Sequence, residues 1–197
     1  MRRHQAHQAR NIAIGGFLGI VVAAGWLLLA GSGSTSRSTS AVSVPTTRHI
    51  AEPVGATPSV SAQMICGLEA QKETAGLIGV KTTQPPAPTW IDAVYACRYA
   101  YPAGDMALSV KELSNRTETD AYFAALRGLI GSQKQLKGFG QGAFLAGNGN
   151  AVVVRKDYKV LVVDVSNLPA PFGAHAYTHS QVAQIVAATI LGCWTGA

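Results

Sequence analysis

Apolar positions divide the chain into three parts. Ile12 to Ala30 form an unbroken apolar run, Gly31 to about Ser59 is rich in Ser, Thr, Gly and Pro, and residues 60–197 carry short apolar stripes between polar turns. An uninterrupted apolar stretch of about 20 residues spans a bilayer as one helix. Residues 12–31 are therefore predicted to be a transmembrane helix behind a cytoplasmic tail of residues 1–11. Residues 32–59 cannot bury enough surface to offset the entropy of ordering, and are predicted to be a disordered Ser/Thr/Gly/Pro spacer. Residues 60–197 are long enough for one domain with its own core.

Within the domain, Ser61 can cap a helix whose face carries Ile65, Leu68, Ala75, Leu77 and Ile78 and which stops at Gly79. Residues 82–89 contain three prolines, which fix φ and remove donors, so they form a loop. Tyr95 to Tyr101 and Met106 to Leu113 then read as two strands joined by Pro102-Ala103-Gly104-Asp105. Alternation places Tyr95, Cys97, Tyr99 and Tyr101 on one face of the first, and Met106, Leu108 and Val110 on one face of the second. From Thr117 a second helix carries Tyr122, Phe123, Leu126, Leu129 and Ile130 to a stop at Gly131. Gly142 to Ala146 suggest a short strand. Ala151 to Arg155 and Val160 to Val165 are β-branched runs flanking the turn Lys156-Asp157-Tyr158-Lys159. After a Pro/Gly loop at 168–174, Ser180 can cap a last helix that ends at Gly192. The order α-β-β-α-β-β-β-α, with hairpins between neighbouring strands, predicts an α+β fold: one antiparallel sheet with helices packed on it.

The N-terminal run also resembles a signal peptide, which likewise starts with a basic segment and directs the rest of the chain out of the cytoplasm. A signal core runs about 7 to 15 residues, whereas no charge intervenes between Arg10 and Arg37 here, which favours the anchor. Ala30-Gly31-Ser32 keep secretion after cleavage as the alternative. No cysteine follows the run, so a lipoprotein anchor is excluded. Gly15 and Gly19 have the spacing of a close helix contact, though glycine is also simply tolerated in membrane helices.

Charge adds little beyond orientation. The formal net charge is +6, but five of the 16 Lys and Arg residues, namely Arg2, Arg3, Arg10, Arg37 and Arg48, precede the domain. Positive residues before a membrane helix keep its leading end cytoplasmic. No clustered basic face remains for nucleic acid.

The three cysteines, Cys66, Cys97 and Cys193, allow three pairings. The favoured one ties Cys66 on the first helix to Cys97 on the first strand, closing a loop of about 30 residues for about 3 to 4 kcal/mol. Cys193 is then left free.

Ile65-Cys66-Gly67-Leu68 opening a helix, Ala96-Cys97-Arg98-Tyr99 on a strand, and Gly138-Phe139-Gly140-Gln141-Gly142-Ala143-Phe144 before a strand pair carry a resemblance. Over roughly residues 60–195 the chain resembles the DUF3558 family, extracytoplasmic envelope domains of unknown function from mycobacteria and related high-GC bacteria. That resemblance implies a similar paired-cysteine architecture, supporting Cys66 with Cys97. It brings no catalytic residue.

Candidate chemistry is sparse. Gly138-Phe139-Gly140-Gln141-Gly142-Ala143 matches the dinucleotide fingerprint in letters, but the fingerprint works between a strand and a helix. Here it leads into a strand, so a turn is expected and no cofactor is inferred. His175 and His179 have the spacing of paired metal ligands, yet lie in a Pro/Gly loop without a third ligand, so no metal is expected. His175 with Asp164 or Ser166 supplies hydrolase residue types without a nucleophile elbow. Asp92, Asp105 and Glu112 lie around the first hairpin as surface charge, and Asn115-Arg116-Thr117 is a glycosylation sequon of little weight in a bacterial chain. Trp90, Tyr95, Tyr99 and Tyr101 form the one aromatic concentration. If no helix covers that face, it makes a groove for a lipid, glycan or peptide; otherwise it is core.

These readings converge on a single-pass membrane protein, N-terminus cytoplasmic, with a disulfide-stabilised extracytoplasmic domain. The expected role is a non-catalytic envelope module binding a protein partner or a small amphipathic ligand. A hydrolase using His175 with Asp164 or Ser166, and a purely structural spacer domain, are the alternatives.

Overall fold

The computed structural model describes residues 54–195. The predicted tail, transmembrane helix and most of the spacer lie outside them. Among the described residues no helix is long and apolar enough to cross a membrane.

The first predicted helix is broken in two. Helix α1 (Val60–Gln63) runs into a 3-10 turn (Met64–Cys66), and α2 (Leu68–Ile78) restarts beyond Gly67, whose extended backbone interrupts the helix. The N-cap is Ser59 and not Ser61: its side chain accepts from the Ala62 N–H at 3.3 Å. The buried carboxylate of Glu112 in turn accepts from the Ser59 N–H at 3.1 Å and from the Ser59 hydroxyl, tying the entry of the domain to the sheet.

Seven antiparallel strands form the sheet in the order β1-β2-β3-β7-β6-β5-β4. They are β1 (Thr89–Ile91), β2 (Val94–Tyr101), β3 (Gly104–Glu112), β4 (Lys134–Leu136), β5 (Gly142–Leu145), β6 (Ala151–Lys156) and β7 (Lys159–Asp164). Helix α3 (Arg116–Ile130) carries the chain from β3, inside the sheet, to β4 at the far edge, and β7 returns to lie beside β3. The strands absent from the expected order are β1 and β4. Both have three residues, too few for alternation to register, and β4 is Lys-Gln-Leu, the polar composition that protects a sheet edge from pairing.

The strand faces are those alternation predicts. Tyr95, Cys97, Tyr99, Tyr101, Met106, Leu108 and Val110 join Val152, Val154, Leu161 and Val163 in the main core beneath the 3-10 turn, α2 and α4 (His179–Thr195). Helix α3 packs on the opposite face, where Tyr122, Phe123, Leu126 and Ile130 cover Phe144, Val153 and Val160. The rest of that second face, across β1 to β3, carries Ala96, Arg98, Ala107 and Ser109 around a shallow recess of about 320 Å³.

Helix ends follow their caps. Asn115 accepts from the Glu118 N–H at 2.9 Å while Glu118 accepts from the Ser114 N–H at 3.2 Å, a reciprocal box that starts α3 at Arg116, one residue before the expected Thr117. Thr178 and Gln181 form the corresponding pair ahead of α4. That helix passes the predicted stop at Gly192 and runs to Thr195. Glycine inside a helix costs only about 1 kcal/mol, and burial of Leu191 and Trp194 in the core offsets it.

Candidate functional site

A polar cleft of about 590 Å³ opens where the first turn of α3 meets the β6–β7 hairpin, lined by Arg116, Thr119, Asp120, Gln141, Arg155, Asp157 and Tyr158. Three separate stretches of chain build it.

Arg155 is the centre. It lies on β6 on the face that α3 covers, opposite Gly142 of β5. A Cβ at Gly142 would stand 3.6 Å from its Nη2 and 3.8 Å from the Phe123 ring, ordinary van der Waals contact, so the guanidinium lies against this position. Arg155 pairs with the Asp120 carboxylate, donates from Nη2 to the Gln141 carbonyl at 3.2 Å, and stacks 5.6 Å from the Phe123 centroid. Arg127 stands 5.6 Å from the same ring and 5.2 Å from that of Phe144, so the aromatic pair holds two guanidiniums. On the rim, Arg116 meets Asp120 at 3.6 Å, one helical turn along α3.

The opposite wall is fixed as firmly. The Gln141 amide donates to Asp157 Oδ1 at 3.2 Å and accepts from the Asp157 N–H at 3.3 Å, while the Gln141 N–H donates to the Arg155 carbonyl at 2.8 Å. Asp157 and Tyr158 form a two-residue hairpin turn with φ of +48° and +58°. A left-handed backbone suits Asp, but in a bulky residue it is uncommon and stores strain, a condition that clusters at functional sites. The glycine-rich segment serves this geometry: Gly140 has φ +53° and a Cβ there would lie 2.7 Å from the Arg155 carbonyl. Because the segment connects β4 to β5 with no helix after it, it is a turn, not a phosphate cradle.

Thr119 spends its hydroxyl on the Asn115 carbonyl at 2.7 Å, and Asp120 faces two guanidiniums. The Thr119 hydroxyl is therefore committed to a backbone carbonyl and not to a base.

The sequence-derived candidates lie elsewhere. Tyr95, Tyr99 and Tyr101 are buried under the 3-10 turn and helices, and Trp90, half-buried beside them, donates to the Ala56 carbonyl at 2.9 Å. The face that would have been a groove if uncovered is covered over Tyr95, Tyr99 and Tyr101, so those three rings are packing residues, while Trp90 lies against the core at its edge. Tyr99 donates to the Ile65 carbonyl at 2.6 Å. Burial, then the neighbouring Tyr101 and Cys193, push its hydroxyl well above the usual tyrosine range. Burial does the same to Tyr101.

His175 is exposed with its ring 5.4 Å from that of Tyr177. Asp164 caps the Ser166 N–H at 2.8 Å, and among the described residues no hydrogen bond joins His175 to either. His179 has Nδ1 2.9 Å from Asn150 Oδ1 and Nε2 2.8 Å from the Leu168 carbonyl, so both ring nitrogens clasp loops. Among the described residues no group of three or more His, Cys, Asp or Glu is placed to hold a metal. Asp105 pairs with Arg98, Asp92 sits in the β1–β2 turn, and Asn115 is occupied as a helix cap.

Cys66 and Cys97 are joined as a disulfide, with Cα atoms 6.0 Å apart. Cys193 is free and half-buried, its Sγ 3.8 Å from Glu73 Oε2. Burial first, then Glu73 and Glu69, push its thiol up, away from nucleophilic reactivity.

Comparison with protein-family models, curated proteins and solved structures returns no match for this chain.

Proposed function

We propose that the chain is a membrane-tethered, extracytoplasmic, non-catalytic module of a bacterial cell envelope that binds its ligand in the Arg155 cleft. The observation that carries this reading is the Cys66–Cys97 disulfide, because such bonds persist in oxidising compartments and are rare in a reducing cytosol. Downstream of a basic tail and an apolar run of membrane-spanning length, it supports a domain outside the membrane with the tail inside. The resemblance to the DUF3558 envelope family points the same way. Assignment of the ligand site to the cleft rests on its volume, within the roughly 300–1,000 Å³ of small-molecule sites, and on polar side chains fixed by one another.

The test is thiol mapping of the full chain in intact bacterial cells, with fractionation. A membrane-bound protein in which only Cys193 is alkylated before reduction, and whose domain is digested by protease added to spheroplasts, is expected. Three reactive thiols in freshly lysed cells, or a domain protected from external protease, would overturn the compartment.

A further inference from the structure

We infer that the bare half of the sheet, across β1 to β3, receives helix α3 from a second copy of this chain and that each copy gives its own α3 in return. On the second face of the sheet α3 covers Phe144, Val153 and Val160 of β5 to β7, and among the described residues no helix covers β1 to β3 there. Along one cross-strand row of that face the side chains read Thr89, Ala96, Ser109, Val162, Val153 and Phe144. They are small where the sheet is bare and large where α3 lies. The bare half is thus a step one helix layer deep, with the 320 Å³ recess in its floor and Ile91, 66% exposed, at its rim. Three strands spaced about 4.8 Å apart give it a width of about 10 Å, the diameter of one helix.

The chain carries a helix face that fits the step. Glu118, Ala121, Ala125 and Leu129 share one side of α3 and all are exposed, Leu129 by 80%. The two ends of α3 are also level with matching parts of the bare half. Arg155 pairs with Asp120 in the first turn of α3, and Lys111 stands two strands from Arg155 in the same cross-strand row, through Val160. At the other end the Ile130 carbonyl accepts from the Gly147 N–H, just past Leu145, whose row runs through Val152 and Val163 to Leu108 and Cys97 in the recess. A two-fold axis running along the strands, within the helix layer, preserves these levels. It brings Glu118 to the partner subunit's Lys111 and Leu129 to the partner's recess, whereas an axis across the strands would set α3 on α3. Both charges are available for this contact. Among the described residues neither forms an ion pair: Lys111 donates to the Asp92 carbonyl, and Glu118 accepts from the neutral Ser114 N–H and Asn115 amide. The same axis sends both chain entries, at Ser59 beside Glu112, to one end of the pair, so two tethers would reach one bilayer. A 15-residue helix is about 22 Å by 10 Å, so its two seats bury at least about 900 Å² in total, a weak interface that confinement to a membrane would strengthen.

The experiment uses the full chain at high concentration in mild detergent, where a weak contact is populated whether or not the chain is anchored, with Cys193→Ala to remove the free thiol. Leu129→Cys and Ala107→Cys are introduced together, and mild oxidation is followed on non-reducing gels. A disulfide-linked dimer is expected about tenfold faster than from Leu77→Cys with Ala107→Cys, because a formed contact raises the local thiol concentration above that of random collision. Leu77 is exposed on α2, across the sheet from Ala107. Glu118→Lys and Lys111→Glu should each slow the cross-link about fivefold, by placing like charges opposite one another, and should restore it when combined. Cross-linking no faster than the Leu77 control would overturn the pair. A rate indifferent to the charge reversals, or one lost in the single variants and not recovered in the combination, would overturn the two-fold arrangement.

Discussion

The disulfide between Cys66 and Cys97 gives the sharpest stability prediction. Its sequence separation is 31 residues. In the chain-entropy model, closing a loop of that size removes about 12 cal/mol/K from the unfolded ensemble, or about 3.7 kcal/mol at 25 °C. Cys97 is buried, so its replacement by alanine also removes a packed sulfur from the core. With a urea slope of about 2 kcal/mol/M, loss of the bridge lowers the unfolding midpoint by about 1.8 M. The assay is urea denaturation of Cys66→Ala/Cys97→Ala against wild type, followed by near-ultraviolet circular dichroism. The slope should also rise, because an uncrosslinked chain exposes more surface. Cys193→Ala, in which the bridge survives, should move the midpoint by less than about 0.3 M, and reducing the wild type should reproduce the double variant. A double variant within about 0.5 M of wild type would refute the account.

Further expectations concern pH, glycine and the strained turn. Tyr99 and Tyr101 have folded pKa values raised above the usual value of 10.0, so their contribution is intact below that value and is lost as pH rises beyond it. Each should reduce stability by up to about 1.4 kcal/mol per pH unit there, and absorbance at 295 nm should show these two ionising only as the protein unfolds. Gly140→Ala should cost at least about 2 kcal/mol in thermal unfolding, combining a left-handed backbone with a 2.7 Å approach to the Arg155 carbonyl. Gly142→Ala, with no neighbour closer than 3.6 Å, should stay within about 1 kcal/mol of wild type. Tyr158→Gly should raise stability by about 0.5 to 1 kcal/mol by relieving φ +58°, a gain visible as a higher melting temperature.

The sheet core was legible because alternation is local. Tyr95, Cys97, Tyr99 and Tyr101 stand two apart, and the same spacing that marked their shared face put them under the helices. Whether that face would be covered was not local information, and the groove considered for it does not form. Punctuation was read less well: Gly67 divides the first helix, while Gly192 fails to end the last, because buried Leu191 and Trp194 outweigh the propensity of one glycine. The cleft left little trace. Its members come from 116–120, 141 and 155–158, brought together only when α3 crosses the sheet to β4. Two signals were nonetheless present: Arg116 and Asp120 at ion-pair spacing, and an arginine closing a run of valines opposite a glycine.

The position of the Cys66–Cys97 bridge also decides how the domain responds to tension. Force applied from the N-terminal side enters at Ser59, where hydrogen bonds to Glu112 yield first, and then reaches Cys66. There the covalent path leaves the main chain and crosses directly to Cys97 on β2, so residues 67–96, with α2 and the proline-rich loop, are bypassed. Pulling cannot unravel that helix from its end. It has to shear β2, already paired to both β1 and β3, out of the sheet.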